Sequence, residues 1–120
     1  MFAHDLHVAL AWAAGLSMLA LAGEAGVRAA RGRGPGRAAG ASLGLTLILL
    51  GMSAAAGLAM LVRSERPREV LHLFYAVLAF GLVPVADALA VRASARGRAM
   101  ARLVGALLAL GVIVRLFATG

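Results

Sequence analysis

The sequence predicts an all-α integral membrane protein, a bundle of four transmembrane helices built as two tandem parallel hairpins. Three observations support this fold class. Hydrophobic residues make up 62% of the 120 residues and only five residues are acidic, a composition unlike that of water-soluble domains. The apolar residues form four runs, each long enough to cross a bilayer core, which takes about 20 helical residues. Short loops rich in arginine and glycine separate the runs.

The residues that flank each run support its assignment as a transmembrane helix. Together the four runs are expected to form one transmembrane domain over residues 1–120. The first run carries its basic residues behind it, so we expect a retained helix and not a cleaved signal peptide. A basic loop containing Pro35 precedes the second run. Pro67 suits the first turn of the third helix, which Pro84 is expected to kink, and another basic loop precedes the fourth. The expected spans are approximately 5–28, 38–62, 67–91 and 99–118.

Arginine supplies all twelve basic residues of this chain, whose formal charge is +7. Because the arginines lie between apolar runs, we expect them to orient the helices in a lipid bilayer, and we expect no nucleic-acid partner. Eight of them flank the first and third loops and four lie on the opposite side. Since cytoplasmic loops collect positive charge, both termini should be extracytoplasmic, in the inner membrane of a bacterial cell.

The three histidines lie at two places in the sequence. His4 and His7 open the first helix, and His72 opens the third, one helical turn after Glu69. If the two hairpins are repeats related by an axis along the membrane normal, His7 lies opposite His72. The alternative is that any two Ala/Leu/Gly-rich hairpins with arginine loops look alike.

Two facing imidazoles in a four-helix bundle predict a b-type haem with His7 and His72 as axial ligands, serving electron transfer or haem handling. Small residues dominate the faces below the two histidines, which leaves room for a macrocycle or simply permits close helix packing. These faces comprise Leu10, Ala11, Ala14 and Met18 on the first helix, and Tyr75, Ala76, Ala79 and Val83 on the third. Tyr75 is therefore a candidate to line the pocket. The arginines at this level, expected to pair with propionates or to snorkel to water, are Arg63, Arg66, Arg68 and Arg115.

The same residues permit other uses. Zn²⁺ or Cu²⁺ is bound by imidazole and carboxylate groups, and the candidate metal ligands are His7, His72, Glu69 and His4, or Asp5 in place of His4. The histidines are also compatible with simple polar helix starts in the headgroup region. The chain contains no cysteine, so thiolate metal sites and thiol redox chemistry are excluded.

A second class of function uses the helix surfaces. On the second helix, Gly40 and Gly44, and Ser53 and Gly57, are small residues at four-residue spacing, which permits close helix contact. They favour a homo-oligomer or a non-catalytic accessory subunit of a larger membrane complex of the respiratory type. A small transporter is a third possibility. Glu24 is expected to pair with Arg28, and Asp87 with the arginine at 92.

Glu69-Val70-Leu71-His72, entering a transmembrane helix from the outer side, resembles the Glu-x-x-His motif of haem A synthase. His7-Val8-Ala9-Leu10-Ala11 is similar to the second histidine-bearing helix of the same four-helix unit. In that family the two histidines bracket a haem and the motif glutamate is implicated in the haem-modifying reaction. The resemblance implies Glu69 as a reactive carboxylate and leaves open whether the chain is an enzyme. The chain differs from the family in length, in helix order and in lacking the cysteine pair of many members.

Overall fold

The computed structural model describes residues 2–63 and 70–119, which form four α-helices. They are α1 (Phe2–Ala30), α2 (Arg37–Arg63), α3 (Val70–Leu89) and α4 (Ala95–Thr119). All four are long and apolar enough to cross a membrane, which confirms the predicted all-helical, multi-pass architecture. Consecutive helices run in opposite directions, so the α1–α2 and α3–α4 loops lie at one end of the bundle. The histidines lie at the other.

The end of α1 is set by Gly32, which has a positive φ of 66°. Its N–H donates to the Ala29 carbonyl at 3.0 Å, and the Arg33 N–H donates to the Arg28 carbonyl at 2.8 Å. This pair of bonds is the Schellman motif, which satisfies carbonyls that the helix itself leaves unpaired. Glycine adopts the left-handed conformation without the steric penalty of a Cβ. The α1–α2 turn therefore follows from the local sequence.

The start of α4 lies at Ala95, four residues before the expected start at 99. The Gly97 N–H donates to the Ser94 hydroxyl at 3.1 Å, so Ser94 is the N-cap of this helix. Arg96 and Arg98 consequently belong to the first turns of α4. The long basic segment after α3 was expected to be a loop, but a serine cap shortens it.

The bundle packs unevenly. α1 packs closely against α2 and α4, and α3 packs against α4, whereas α2 and α3 hardly touch each other. The largest fully buried side chains are Met18, Leu21, Val83 and Thr46. Many large apolar side chains instead face outward, as Leu16 and Val77 do. Such an apolar exterior suits lipid contact.

α3 and α4 approach each other closely at Gly105. A Cβ placed on Gly105 would lie 2.9 Å from the Ala86 Cβ and 3.3 Å from the Leu82 carbonyl oxygen. Only a glycine fits this separation, because two of the three nearest atoms belong to the α3 backbone. Without a hydrophobic force between helices in lipid, such small-residue contacts supply the packing energy.

Polar side chains also join the helices. The Thr46 hydroxyl donates to the Ser42 carbonyl one turn earlier at 2.8 Å. Its oxygen is then left to accept from the Ser17 hydroxyl on α1, 2.5 Å away. This bond ties α1 to α2 at a position where no water competes.

Both carboxylates near the arginine-rich end are paired. Glu24 lies 3.4 Å from Arg28 within α1, as expected. Asp87 pairs with Arg102 of α4 through two bonds, of 3.1 and 2.5 Å, and not with Arg92 as expected. The reason is that α4 begins early and packs on α3, which brings its second turn level with Asp87. The bidentate pair therefore joins α3 to α4.

Candidate functional site

A cavity of about 490 Å³ lies at the histidine end of the bundle. All four helices contribute to its walls, and apart from the histidines and Ser53 the lining is apolar. Its volume falls within the range of small-molecule and cofactor sites, about 300–1,000 Å³. His4, His7 and His72, the three histidines of the chain, all line it. The bundle thus gathers every imidazole around one apolar space.

His7 on α1 and His72 on α3 face each other across this cavity. Their ring centroids are 6.2 Å apart, and the ring planes are inclined by 50°. Two imidazoles on opposite sides of one metal ion, with metal–nitrogen bonds of about 2.0–2.1 Å, have centroids roughly 6 Å apart. Adjacent ligands of a tetrahedral ion would lie about 1 Å closer. The observed separation is therefore compatible with two imidazoles that would hold one metal ion between them.

The His7 ring is oriented by Ser53 of α2. Its Nδ1 lies 2.7 Å from the Ser53 carbonyl oxygen, which can only accept, so Nδ1 carries the proton. The Ser53 hydroxyl lies 3.1 Å from the same nitrogen and donates back to the His7 carbonyl at 3.2 Å. His7 is thus held as the tautomer whose Nε2 keeps its lone pair. Metal-binding histidines are generally fixed in this way, with the second nitrogen bonded to a carbonyl.

Gly57, one turn after Ser53 on α2, makes room for the same ring. A Cβ placed on Gly57 would lie 3.2 Å from the His7 Cε1 and 3.3 Å from Nδ1. The Ser53/Gly57 pair therefore faces α1 inside the bundle. Around Gly40 and Gly44, by contrast, an added Cβ meets no described atom within 4 Å. The sequence pattern of small residues pointed to both pairs, but it did not identify Ser53 and Gly57 as neighbours of a histidine.

The cavity includes Ala11 and Ala76 from the expected faces of α1 and α3, but otherwise it is shifted toward a neighbouring side of each helix. Tyr75 does not line it, and the Tyr75 ring instead lies 6.0 Å from that of Phe74. Below His72 the lining residues are Leu73, Ala76, Val77 and Phe80. With about 3.6 residues per turn, these positions lie on the opposite flank of α3 from Tyr75. Below His7 the lining likewise uses Val8 and Ala11, not Leu10.

Deeper along both expected faces, the side chains form the packed core. Ala14, Met18, Ala79 and Val83 are all buried. The expected faces were therefore correct for the core below the cavity. They were wrong by part of a turn for the cavity itself.

The candidate metal ligands do not assemble into a cluster among the residues that the structure describes. No three His, Asp or Glu side chains converge in residues 2–63 and 70–119. His4 lines the cavity but is exposed, and Asp5 is exposed as well. Glu69, Arg66 and Arg68 lie outside the described residues. A zinc or copper site of the expected composition would depend on Glu69.

The two described arginines at this end stand outside the cavity wall. Arg63 ends α2 and Arg115 lies near the end of α4, and both are exposed. Neither lines the cavity. As expected, both arginines lie at the same end of the bundle as the histidines. Their side chains are long enough to reach groups at the cavity rim.

The chain matches no protein-family model, no curated protein and no solved structure. The resemblance to haem A synthase stays a prediction. Fold class alone does not determine function, so the residues around the cavity are the basis for assigning one.

Proposed function

We propose that the protein binds a b-type haem between His7 and His72 within the membrane, for electron transfer or haem handling. The observation that supports this most directly is the 6.2 Å separation of the two ring centroids across an apolar cavity. The apolar lining suits a porphyrin, and neutral imidazole is the ligand form that haem iron takes.

The chain contributes three things to such a site. Ser53 fixes the tautomer and the orientation of the His7 ring, so the Nε2 lone pair already points in one direction before haem binds. The apolar walls exclude water from the centre. Arg63 and Arg115, with Arg66 and Arg68 of the adjoining segment, supply positive charge at the outer end for propionates. A bound haem would supply the one-electron chemistry.

The proposed orientation has both termini, and hence the haem site, on the extracytoplasmic side of the inner membrane. It is supported by the sequence, in which eight arginines flank the first and third loops and four flank the opposite ends of the apolar runs. The proposal keeps the two hairpins as tandem repeats, since α1 and α3 each carry one of the two facing histidines, His7 and His72.

A second candidate function is that of an accessory subunit. Gly40, Gly44 and Gly51 share one face of α2, and an added Cβ at each would meet no described atom. This face allows a helix of a larger complex, or of a second copy, to approach closely. A helix that docks at Gly40 and Gly44 is compatible with the haem site, because Gly51 alone of these three glycines lines the cavity.

The test is an absorption spectrum of the full chain purified in detergent, before and after addition of haemin. A Soret band is expected for the wild type and for His4→Ala, because His4 is exposed at the rim. It should be lost or shifted to a five-coordinate form in His7→Ala and in His72→Ala. A wild-type protein that takes up no haemin contradicts the proposal. A colourless protein that carries zinc or copper by metal analysis would favour the metal-site alternative.

A misfolded variant could also lose the band, so a rescue experiment is paired with the first. His72→Gly leaves a space that free imidazole can enter. If His72 is an axial ligand, millimolar imidazole should restore the six-coordinate spectrum. Failure of imidazole to change the spectrum of a folded, haem-containing His72→Gly protein would argue against ligation.

A further inference from the structure

The two interfaces between the hairpins are unequal. An exact twofold axis relating them would make the α1–α4 and α2–α3 contacts equivalent. α1 and α4 pack closely, whereas α2 and α3 hardly touch among the described residues. The bundle is therefore open along one side, and the cavity lies at the same end as the histidines.

Side chains on both sides of this gap belong at once to the cavity wall and to the outer surface. On α3, Val77 is 73% exposed and Leu73 is 50% exposed, yet both line the cavity. On α2, Leu58 is 57% exposed and lines it as well. A residue with both properties marks the rim of an opening. The cavity reaches the exterior beside the exposed His4 and also between α2 and α3, through a gap that we call the lateral mouth, bounded by Leu58, Leu73 and Val77.

The lateral mouth lies at the depth of the hydrocarbon. At 1.5 Å per residue, Val77 is about 10 Å from the start of α3 at Val70. The lining continues to Leu50, about 20 Å from the end of α2 at Arg63. Leu58, Leu73 and Val77, which bound the lateral mouth, are all apolar, so this opening faces acyl chains rather than headgroups or water.

We propose that the cavity exchanges its ligand laterally with the bilayer through this mouth, so that its ligand is a membrane-dissolved haem rather than one delivered from water. This inference rests on the proposed haem site. It also distinguishes between the two uses of that site, because an opening to lipid serves repeated uptake and release. Haem handling is therefore the function that the lateral mouth favours over permanent electron transfer.

The experiment measures haemin transfer from phosphatidylcholine vesicles to the full chain, prepared without haem and reconstituted in the same lipid. Val77→Trp places a large side chain at the rim. Obstruction of a passage raises the barrier in both directions, so uptake and release of haemin should both slow about tenfold. Val85→Trp is the matched control, since Val85 is on the same helix, 56% exposed and not part of the lining. It should transfer haemin at the wild-type rate.

A second variant at the lateral mouth tests whether the effect of Val77→Trp is peculiar to that one substitution. Leu58→Trp, from the α2 side, should slow both rates in the same way. Wild-type rates in both rim variants, with haemin still bound, would overturn lateral exchange and leave the haem site intact. A weaker affinity with unchanged uptake would also overturn it, because tryptophan would then disturb the site and not the passage. Absence of haemin binding by the wild type would instead remove the proposed function itself.

Discussion

At the scale of single residues, the Ser53 carbonyl decides which nitrogen of His7 can bind another group. A backbone carbonyl accepts and cannot donate, so it selects one tautomer irrespective of the rest of the cavity. The Ser53 hydroxyl adds a weaker constraint at 3.1 Å. The backbone bond persists in any substitution of Ser53, so the orientation of His7 depends mainly on the position of α2 relative to α1.

Gly57 is where that position can be perturbed most cleanly. In Gly57→Ala the new methyl group would lie 3.2 Å from the His7 ring, which must shift by a few tenths of an ångström or weaken its bond to Ser53. We expect haemin to bind about tenfold more weakly, equivalent to about 1.4 kcal/mol. Haemin titration of the purified variants measures this.

The matched control is Gly44→Ala on the same helix, where the methyl group meets no described atom within 4 Å. It should bind haemin as the wild type does. It should also be slightly more stable, since alanine exceeds glycine in helix propensity by about 1 kcal/mol. Equal affinity of both variants would show that the His7 position does not control the site.

Sequence reasoning could identify the paired histidines but not their supports. His7 and His72 were recognisable because imidazoles are rare in apolar spans and both open helices that run in the same direction. Ser53 and Gly57 were recognisable only as small residues. Which face of α2 they occupy relative to α1 depends on helix rotation, and hydrophobic residues that surround a helix on all sides carry no signal for rotation.

At the scale of helices, the α3–α4 interface holds together through one close approach and one ion pair. Gly105 permits the approach, because an alanine there would overlap the Ala86 side chain and press on the α3 backbone. We expect Gly105→Ala to lower the free energy of unfolding by about 1–3 kcal/mol, the usual cost of overpacking. Thermal unfolding in detergent, followed by circular dichroism, measures this.

Gly111→Ala provides the comparison on the same helix, because nothing described lies within 4 Å of its added methyl group. It should be neutral or stabilising. If Gly105→Ala unfolds at the same temperature as the wild type, α3 and α4 do not approach each other closely at Gly105.

The ion pair can be tested separately. Asp87 and Arg102 are mostly buried, with side chains 26% and 12% exposed, so Asp87→Asn leaves a partly buried guanidinium without its countercharge. We expect a loss of about 1–3 kcal/mol in unfolding free energy, the range for hydrogen bonds to charged groups. Glu24→Gln, which breaks only an i,i+4 pair within α1, should cost no more than about 0.5 kcal/mol. Equal losses of unfolding free energy in the two variants would show that the Asp87–Arg102 pair stabilises the protein no more than the Glu24–Arg28 pair does.

At the scale of the whole molecule, the four helices and their approximate ends followed from hydropathy and from the arginine loops. Which helices pack against each other did not follow from the sequence. Every helix presents Ala, Leu and Gly on several faces, so the sequence is equally compatible with a closed bundle and with one open between α2 and α3. The open side, and with it the lateral mouth, comes from the packing of α1 against α4, where a Cβ placed on Gly15 would lie 3.7 Å from the Ile113 Cγ2.

The orientation in the membrane is a property of the entire chain and can be tested with single cysteines, since the chain has none of its own. In the sequence, eight arginines flank the first and third loops and four flank the opposite ends of the apolar runs. Moving each extra charge outward against a potential of 100 mV costs about 2.3 kcal/mol, so the loop end should stay in the cytoplasm. In Phe2→Cys, whose position is 81% exposed at the histidine end, a membrane-impermeant maleimide should react in spheroplasts.

Ala93→Cys, exposed in the α3–α4 loop, is the reciprocal variant and should react only after lysis. The reverse pattern would place both termini in the cytoplasm and the histidine cavity at the inner face. Labelling of both variants in spheroplasts would indicate a mixture of orientations, which the twofold excess of arginine at one end argues against. Because the proposed haem ligation by His7 and His72 does not depend on sidedness, either outcome leaves that proposal unchanged and decides only which compartment the cavity adjoins.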